Sequence, residues 1–434
     1  MVRDKIEYTI DGIGGREVLD SRGRPTLEVV LSTHMTTVRA MVPSGASTGK
    51  HEAHELRDGV PNWYAGLGVQ KAIANVKILA RALDRMPLFD QAGIDRRMCE
   101  LDGTPNKSNL GANTILGVSM AVARAIAEVR HRPLWKTFDP DDKARMPLPM
   151  VNMISGGLHA GGNLDLQDFL FLPVAARQYT ESLHMSVAVY RCLGEILREQ
   201  GFEGTLVGDE GGYGPKLHSN EQALELLTSA IRRAGMEPGK GGGIALDVAA
   251  SHFHADGRYR LRDGGGLDLD AGGMVDLLAK WVDAYPIFSI EDGLAEDDFD
   301  GWSSLTERLG SRVQLIGDDL FVTNPERLRM GIARKLGIAV LVKLNQIGTV
   351  SETLRVIAMA KEAGYRTIVS ARSGETEDDF LADFAVGTDA GQIKIGSVAR
   401  SERLAKYNQL SRIEDEAGMA SRFARWADHA ETTR

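Results

Sequence analysis

The chain has 434 residues, 26% charged and 43% hydrophobic, with a formal net charge of −9, a length that admits two domains and a large core. The acidic, mixed-sign balance argues against a nucleic-acid or anionic-membrane surface, so a small anionic substrate would need a local positive site. No apolar run approaches the ~20 residues of a membrane span, and MVRDKIEYTI lacks a signal peptide's apolar core. Cys99 and Cys192 are too few for a disulfide framework or a thiolate metal site, so buried structural thiols in a reducing cytoplasm are expected.

From residue 5 to 43 the pattern predicts strands, IEYTIDGIGGREVL, TLEVVLST and TTVRAMV, with a turn at Ser21–Pro25, in an antiparallel meander. The stretch from Pro43 to Gly59, PSGASTGKHEAHELRDG, is small, polar and glycine-rich. It is not a phosphate loop, because Gly45 to Gly49 encloses three residues where a P-loop has four, and His51 follows Lys50 where Ser or Thr is needed. Its composition suits a loop that closes over a ligand, or a plain surface loop. Helical periodicity follows over 68–83, 91–101 and 112–129. The polar, proline-punctuated segment from Thr137 to Pro149 is the best boundary, separating an N-terminal α+β domain at 1–140 from a C-terminal domain at 144–434.

LPMVNMISGG and DLQDFLFLPV read as paired strands around a glycine-rich turn carrying His159. Helices over 175–199 and 220–234 are separated by the loop GDEGGYGP with Glu210. A lone loop histidine is ordinarily solvated or structural. An acid framed by Gly208, Gly211 and Gly212 is odder, since glycine lets the backbone bring a carboxylate close to a ligand. Gly239 to Gly243 reads as a flexible turn without function. Later helices are predicted over 273–284, 326–336, 350–363 and 378–385, with a further helix and a frayed end after Gly418.

The second half repeats short apolar strands with helices between them, roughly every 25 residues, which is the rhythm of a (β/α) barrel with its chemistry at the C-terminal strand ends. Those ends carry Asp247 in GIALDVAAS, Glu291 in IFSIEDG, Asp318 in VQLIGDD, Lys343 in AVLVKLNQ, Ser370 to Ser373 in RTIVSARSGE and Lys394 in GQIKIGS. Acids at strand ends often cap the following helix, yet three in series, without His or Cys beside them, are hard oxygen ligands suited to Mg²⁺ rather than zinc. A lysine near bound cations has its ammonium form disfavoured and suits a general base. Arg372 and Ser373 suit phosphate binding, or a surface salt bridge. Together these residues point to proton abstraction from a phosphorylated carboxylic acid, with Glu210 as the acid that helps hydroxide leave.

Over essentially its whole length the sequence resembles the enolase family, through REVLDSRG, PSGASTG followed by HEAHELRDG, LGANTILGVS, GDEGG, DVAAS, SIED, GDDLFVTNP, KLNQIG, SARSGETED with one position changed, and RSERLAKYNQL. The resemblance implies an α/β fold, a (β/α)8 barrel of enolase type with an irregular start, and an N-terminal α+β domain, in a homodimer or larger homo-oligomer. It implies two Mg²⁺ ions, one held by Asp247, Glu291 and Asp318 and one brought with substrate, with Ser47 closing onto it. Lys343 would be the base, Glu210 the acid and Lys394 the carboxylate holder. His159, Arg372 and Ser373 would hold the phosphate end, and Asp168 is counted with the substrate-binding set.

Five positions depart from the family pattern: Asp168 replaces the glutamate of LQEF, Ala371 the histidine of SHRSGE, Ile395 the threonine of KTG, His252 the glutamate of AASEF and Gly293 the proline of EDP. Loss of bulk and polarity beside a site suggests an altered substrate, a phosphorylated or phosphonylated relative of 2-phosphoglycerate. That is the substrate type of carboxyphosphonoenolpyruvate synthase in phosphinothricin-type antibiotic pathways. An ordinary enolase and a non-catalytic protein on an enolase scaffold are the alternatives.

Overall fold

The computed structural model describes residues 8–46, 49–262, 265–419 and 422–430. The N-terminal meander forms as expected: β1 (Gly12–Leu19), β2 (Pro25–Ser32) and β3 (Thr37–Met41) pair antiparallel in that order. β2 is the middle strand and is almost wholly buried, because α1 (Gln70–Leu83) and α3 (Ala112–Val129) pack on the sheet with α2 (Gln91–Asp102) beside them. α3 is apolar and long enough to cross a membrane by composition alone, but 89% of it is buried inside the protein, so it is a core helix. The one-turn α4 (Leu134–Thr137) docks on the barrel, with Phe138 edge-on to Phe380 and Phe384.

The barrel opens with β4 (Leu148–Ser155) and β5 (Asp168–Leu172), then α5 (Tyr179–Glu199), α6 (Asn220–Arg233) and β6 (Gly243–Asp247). A small sheet follows, β7 (His254–Ala255), β8 (Arg258–Leu261) and β9 (Leu267–Leu269). The regular part then runs α7 (Ala271–Ala284), β10 (Ile287–Glu291), α8 (Phe299–Leu309), β11 (Gln314–Gly317), α9 (Pro325–Arg334), β12 (Ala339–Val342), α10 (Leu344–Ile347), α11 (Val350–Glu362), β13 (Arg366–Ser370), α12 (Phe380–Gly387), β14 (Gly391–Gly396), α13 (Ser401–Glu416) and α14 (Trp426–Ala430). The closed barrel has the strand order β10-β11-β12-β13-β14-β4-β5-β6. Six of its eight pairings are parallel; β5 runs antiparallel to both β4 and β6. The irregular start therefore has a direct effect: reversal of β5 brings its first residue, Asp168, level with Asp247, the last residue of β6.

Helix starts follow local chemistry. Asp90, Ser219, Asp270, Asp298, Asn324 and Thr349 each accept a backbone N–H of the first turn of the helix they cap, satisfying donors that the helix leaves unpaired. Inside the barrel, Met150, Leu170, Ala245, Ile316, Leu341 and Ile368 form a separate apolar layer. Below it Gln314 and Gln392 bond each other, and Trp426 stacks edge-on to Phe288.

Several expectations need correction. α8 was expected only through the strand–helix rhythm and given no range, and neither α13 nor the β7–β9 sheet was foreseen, although Asp256-Gly257 at the sheet's first turn is a hairpin signal with both residues at positive φ. Of the helix expected after Gly418, the described residues show Trp426–Ala430, and the frayed end expected beyond it lies outside them. Cys99 and Cys192 are half-buried rather than buried; burial pushes the Cys99 thiol up to about 12, which suits an inert role.

Candidate active site

The strand-end residues converge at one mouth. Lys394, in β14, donates from Nζ to Asp247 Oδ2 at 2.8 Å and to Glu291 at 2.9 and 2.8 Å, so both carboxylates face one ammonium. Asp318, just past β11, pairs with Lys343, just past β12. The other Asp318 oxygen accepts from Gln346 Nε2 at 2.9 Å, and Asp247 Oδ2 also accepts from Gln167 Nε2 at 3.1 Å. Lys343 keeps 13% side-chain exposure against 5% for Lys394, which leaves Lys343 as the lysine open to the mouth.

Charge is dense here. Burial and the neighbouring Asp247 push Glu291 well above the ordinary carboxylate range. For Asp247 and Asp318 burial acts the same way, but Lys394 and Lys343 respectively outweigh it and hold these acids low. The lysines respond in the opposite sense: burial disfavours their charge, and Asp247 for Lys394 and Asp318 for Lys343 more than compensate. Both are ammonium groups in this setting, and a cation bound at these acids would offset the charge that holds them protonated.

Beside this cluster sits a second group, since Asp168 is level with Asp247 on the adjoining strand. Asp168 is wholly buried and accepts from His159 Nδ1 at 2.7 Å, while Asn152 Nδ2 binds its other oxygen at 2.5 Å. His159 Nε2 lies 3.9 Å from Glu210 Oε1. The ordinary reading of a loop histidine as solvated is therefore wrong: the imidazole is buried between two acids. Burial alone would lower it, but Asp168, Glu210 and Asp247 raise it to about 9. Burial raises Asp168 to about 6 against the pull of His159, so the pair is ionised near neutrality. Glu210, despite burial, is held low by His159, Arg403 and the two lysines. A raised histidine stabilises the fold fully below its ordinary 6.5 and loses that contribution as pH rises through about 9. The ring protons of His159 are expected to titrate near 9 by NMR, and Asp168→Asn should lower that midpoint; titration at or below 6.5 in the unsubstituted protein would contradict the pairing.

The Glu210 loop is pinned on each side. Asp209 N donates to His159 O at 3.0 Å, Ser397 N to Glu210 O at 2.8 Å and Tyr190 Oη to Gly211 O at 3.0 Å. Gly211, at φ +87°, has no room for a side chain: a Cβ would meet Ala399 O at 2.7 Å.

The Pro43–Gly59 loop lies over the β13 end. Ser44 and Gly374 exchange two backbone bonds of 2.8 Å, and Ala46 N donates to Ser373 Oγ at 2.6 Å. Lys50 reaches Asp297 at 3.0 Å. Ser47 falls outside the described residues. Arg372 and Ser373, expected at a phosphate, are here engaged by protein groups: Arg372 by Glu52 at 3.1 Å from both nitrogens and by Asn345 Oδ1 at 2.8 Å.

Glu52, Asn345, Gln346, Gln167 and Asp292 were not singled out from the sequence. Asp292, at φ +43°, turns its carboxylate back to accept from the N–H groups of Asp318 and Asp319 at 2.9 and 2.8 Å. Its adjacency to Glu291 was the available signal. The donor chemistry suits Mg²⁺: three buried carboxylates on neighbouring strands provide hard oxygens, and Gln167 Oε1 is buried beside Asp247 without a hydrogen-bond partner. In this structure the three are spread around Lys394 and Lys343, whereas ligand atoms of Asp292, Asp318 and Asp319 lie within 4.8 Å of one another. Asp247, Glu291 and Asp318 are the groups that would hold the ion.

Two family comparisons agree with this geometry. The enolase N-terminal domain matches residues 10–138, and the enolase C-terminal TIM barrel domain matches residues 143–431. With these matches spanning most of its length and an eight-stranded closed barrel presenting these residues, the chain belongs to the enolase family and is, in general terms, an enolase-type lyase.

Proposed function

We propose that the protein is a Mg²⁺-dependent hydro-lyase that removes water from a 2-phosphoglycerate-like acid to give an enolpyruvate product. The observation that carries this is the juxtaposition of two groups at one mouth, Lys343 and Lys394 on three carboxylates and Glu210 with His159 and Asp168, joined where Asp168 lies level with Asp247. Bound at Asp247, Glu291 and Asp318, Mg²⁺ supplies positive charge that offsets these acids and the charge that builds on a carboxylate substrate. In its neutral form, which a cation at the three acids would favour by offsetting the charge that holds it as ammonium, Lys343 takes the proton from the carbon next to the carboxylate, and the freed electron pair becomes the new C=C bond as the C–O bond breaks. Glu210, an ionised carboxylate in this setting, first gains a proton, for which the His159 imidazolium 3.9 Å away is the neighbouring store, and then gives it to the departing hydroxide so that it leaves as water. Lys394 holds the carboxylate, and Arg372 and Ser373 take the phosphate end.

We further propose a specialised homologue such as carboxyphosphonoenolpyruvate synthase, acting on a phosphonylated relative of 2-phosphoglycerate in the cytoplasm as a dimer or larger assembly. Two of the five departures carry no weight for this. Ile395 is buried in the apolar core, and Gly293 is already crowded by Leu278, Leu305 and Ile290 at 3.1 to 3.2 Å from where a Cβ would stand. Ala371, though buried in the same core, supports it by position, since it places a single methyl group next in sequence to Arg372, and its N–H is fixed on Lys394 O at 2.8 Å. His252, exposed beyond the end of β6, replaces an acid with a base. An ordinary enolase is the second reading, favoured by the shorter Asp168 still reaching His159 at 2.7 Å.

A coupled assay for phosphoenolpyruvate from 2-phosphoglycerate with Mg²⁺, beside a known enolase, separates the two. Weak turnover with intact Mg²⁺ binding is expected, and Ala371→His should then raise kcat/KM for 2-phosphoglycerate by about tenfold or more. Turnover matching the known enolase would establish the ordinary enzyme, and an unchanged preference in Ala371→His would remove that residue from specificity.

A further inference from the structure

Arg403, on α13, is wholly buried, yet its nearest carboxylate contact is Glu402 at 3.6 Å from Nε. Its charge is met mainly by backbone. Nη1 donates to the carbonyls of Arg372 at 2.6 Å and Ile395 at 3.0 Å, and Nη2 to those of Ser373 at 2.7 Å and Asp209 at 3.3 Å. These four carbonyls belong to three separate segments: the Glu210 loop, the end of β13 and β14. Each is the carbonyl of a site residue or of its immediate neighbour, since Asp209 precedes Glu210 and Ile395 follows Lys394. The stem is fitted as closely as the head: Gly396, at φ +111°, would place a Cβ 2.7 Å from Glu210 O and 3.0 Å from Arg403 Cδ.

We propose that Arg403 is a positioning residue that sets the Glu210 carboxyl, the Arg372–Ser373 anion site and Lys394 at fixed mutual distances through their backbone, without touching substrate. The physical case rests on geometry. A guanidinium is a planar fork with five donors, so one rigid group can satisfy several acceptors at once, which a lysine ammonium on a flexible stem cannot. A misplacement of about 1 Å between reacting groups can cost ~10²-fold in rate, and no backbone hydrogen bond described above joins the Glu210 loop directly to Arg372 or Ser373. The proposal rests on the assignment of Glu210, Arg372, Ser373 and Lys394 to the reaction.

The test compares Arg403→Lys with Leu410→Ala, a fully buried apolar position on the same helix, by amide hydrogen exchange of the protein alone and by steady-state kinetics. Arg403→Lys is expected to speed exchange together in 208–212, 372–374 and 395–397, and to lower kcat by about 10²-fold with a smaller change in KM. Leu410→Ala is expected to lower the Tm without that pattern and to leave kcat within about twofold. Unchanged exchange in the three segments, or an equal kcat loss in Leu410→Ala, overturns the proposal. Should Arg403→Lys not fold, the unsubstituted protein still decides: the three segments should open with one common exchange rate, and three unrelated rates overturn it. Absence of turnover in the unsubstituted protein would sink the functional reading, while the exchange data would still judge the positioning.

Discussion

Lys343→Ala is expected to lower kcat by at least ~10²-fold with whichever acid the protein accepts, the usual scale for a positioned general base. The choice of Lys343 over Lys394 follows from access. Lys394 is closed in by Asp247 and Glu291, whereas Lys343 bonds Asp318 and keeps part of its side chain open. Its backbone is held independently, with Lys343 N donating to the buried Thr323 Oγ1 at 2.9 Å, so truncation should remove the ammonium without moving the strand end. A second substitution separates base from counter-ion. Lys343→Arg keeps a positive charge beside Asp318 but cannot give up its proton near neutral pH. If Lys343 is the base, Lys343→Arg should be about as slow as Lys343→Ala, and both should lose exchange of the substrate α-proton with solvent D₂O. Substantial activity in Lys343→Arg would reassign the lysine to holding Asp318.

The strand ends were legible because one-residue placement after short apolar runs is a local property. VQLIGDD and AVLVKLNQ put Asp318 and Lys343 at the mouth with no need to know the rest of the fold. What escaped was mostly non-local. The Glu52–Arg372 pair spans 320 residues of sequence, and the contacts of Arg403 with the Glu210 loop span 194. α13 escaped for a related reason. Its inward face carries Glu402, Arg403, Lys406 and Glu414, all buried, so the apolar stripe that marks a core helix is interrupted by groups serving distant backbone and side chains. α8 buries only Gly301, Trp302, Leu305 and Leu309, too sparse a stripe to stand out between two strands. The burial of His159 was not legible because nothing in GGLHAGG signals the reversed β5 that brings Asp168 beside it.

Glu291→Gln is expected to weaken Mg²⁺ binding by at least ~10²-fold, beyond the tenfold to hundredfold cost of losing a group that merely supports a ligand. Glu291 is buried with Asp247 around one ammonium, and burial together with Asp247 pushes its carboxyl up, so the cluster carries a proton that an entering divalent cation must displace. The sign follows: apparent Mg²⁺ affinity should rise with pH across the range where Glu291 titrates, and Glu291→Gln should flatten that slope. The readout need not involve catalysis. A ligand that binds only the folded state at 100 times its Kd stabilises by about 2.7 kcal/mol, so saturating Mg²⁺ should raise the Tm of the unsubstituted protein and leave Glu291→Gln nearly unmoved. Asp292→Asn is the informative partner. Asp292, Asp318 and Asp319 also lie close enough to grip a cation, but both Asp292 oxygens already accept backbone N–H groups, and burial with the neighbouring Asp319 and Asp318 pushes it well above the ordinary carboxylate range. Its loss should therefore cost Mg²⁺ affinity about tenfold, the low end for a group that supports a ligand and short of the loss in Glu291→Gln. The reverse outcome, with Glu291→Gln tolerated and Asp292→Asn abolishing the thermal shift, would move the metal to that second group and take Glu291 out of the ligand set.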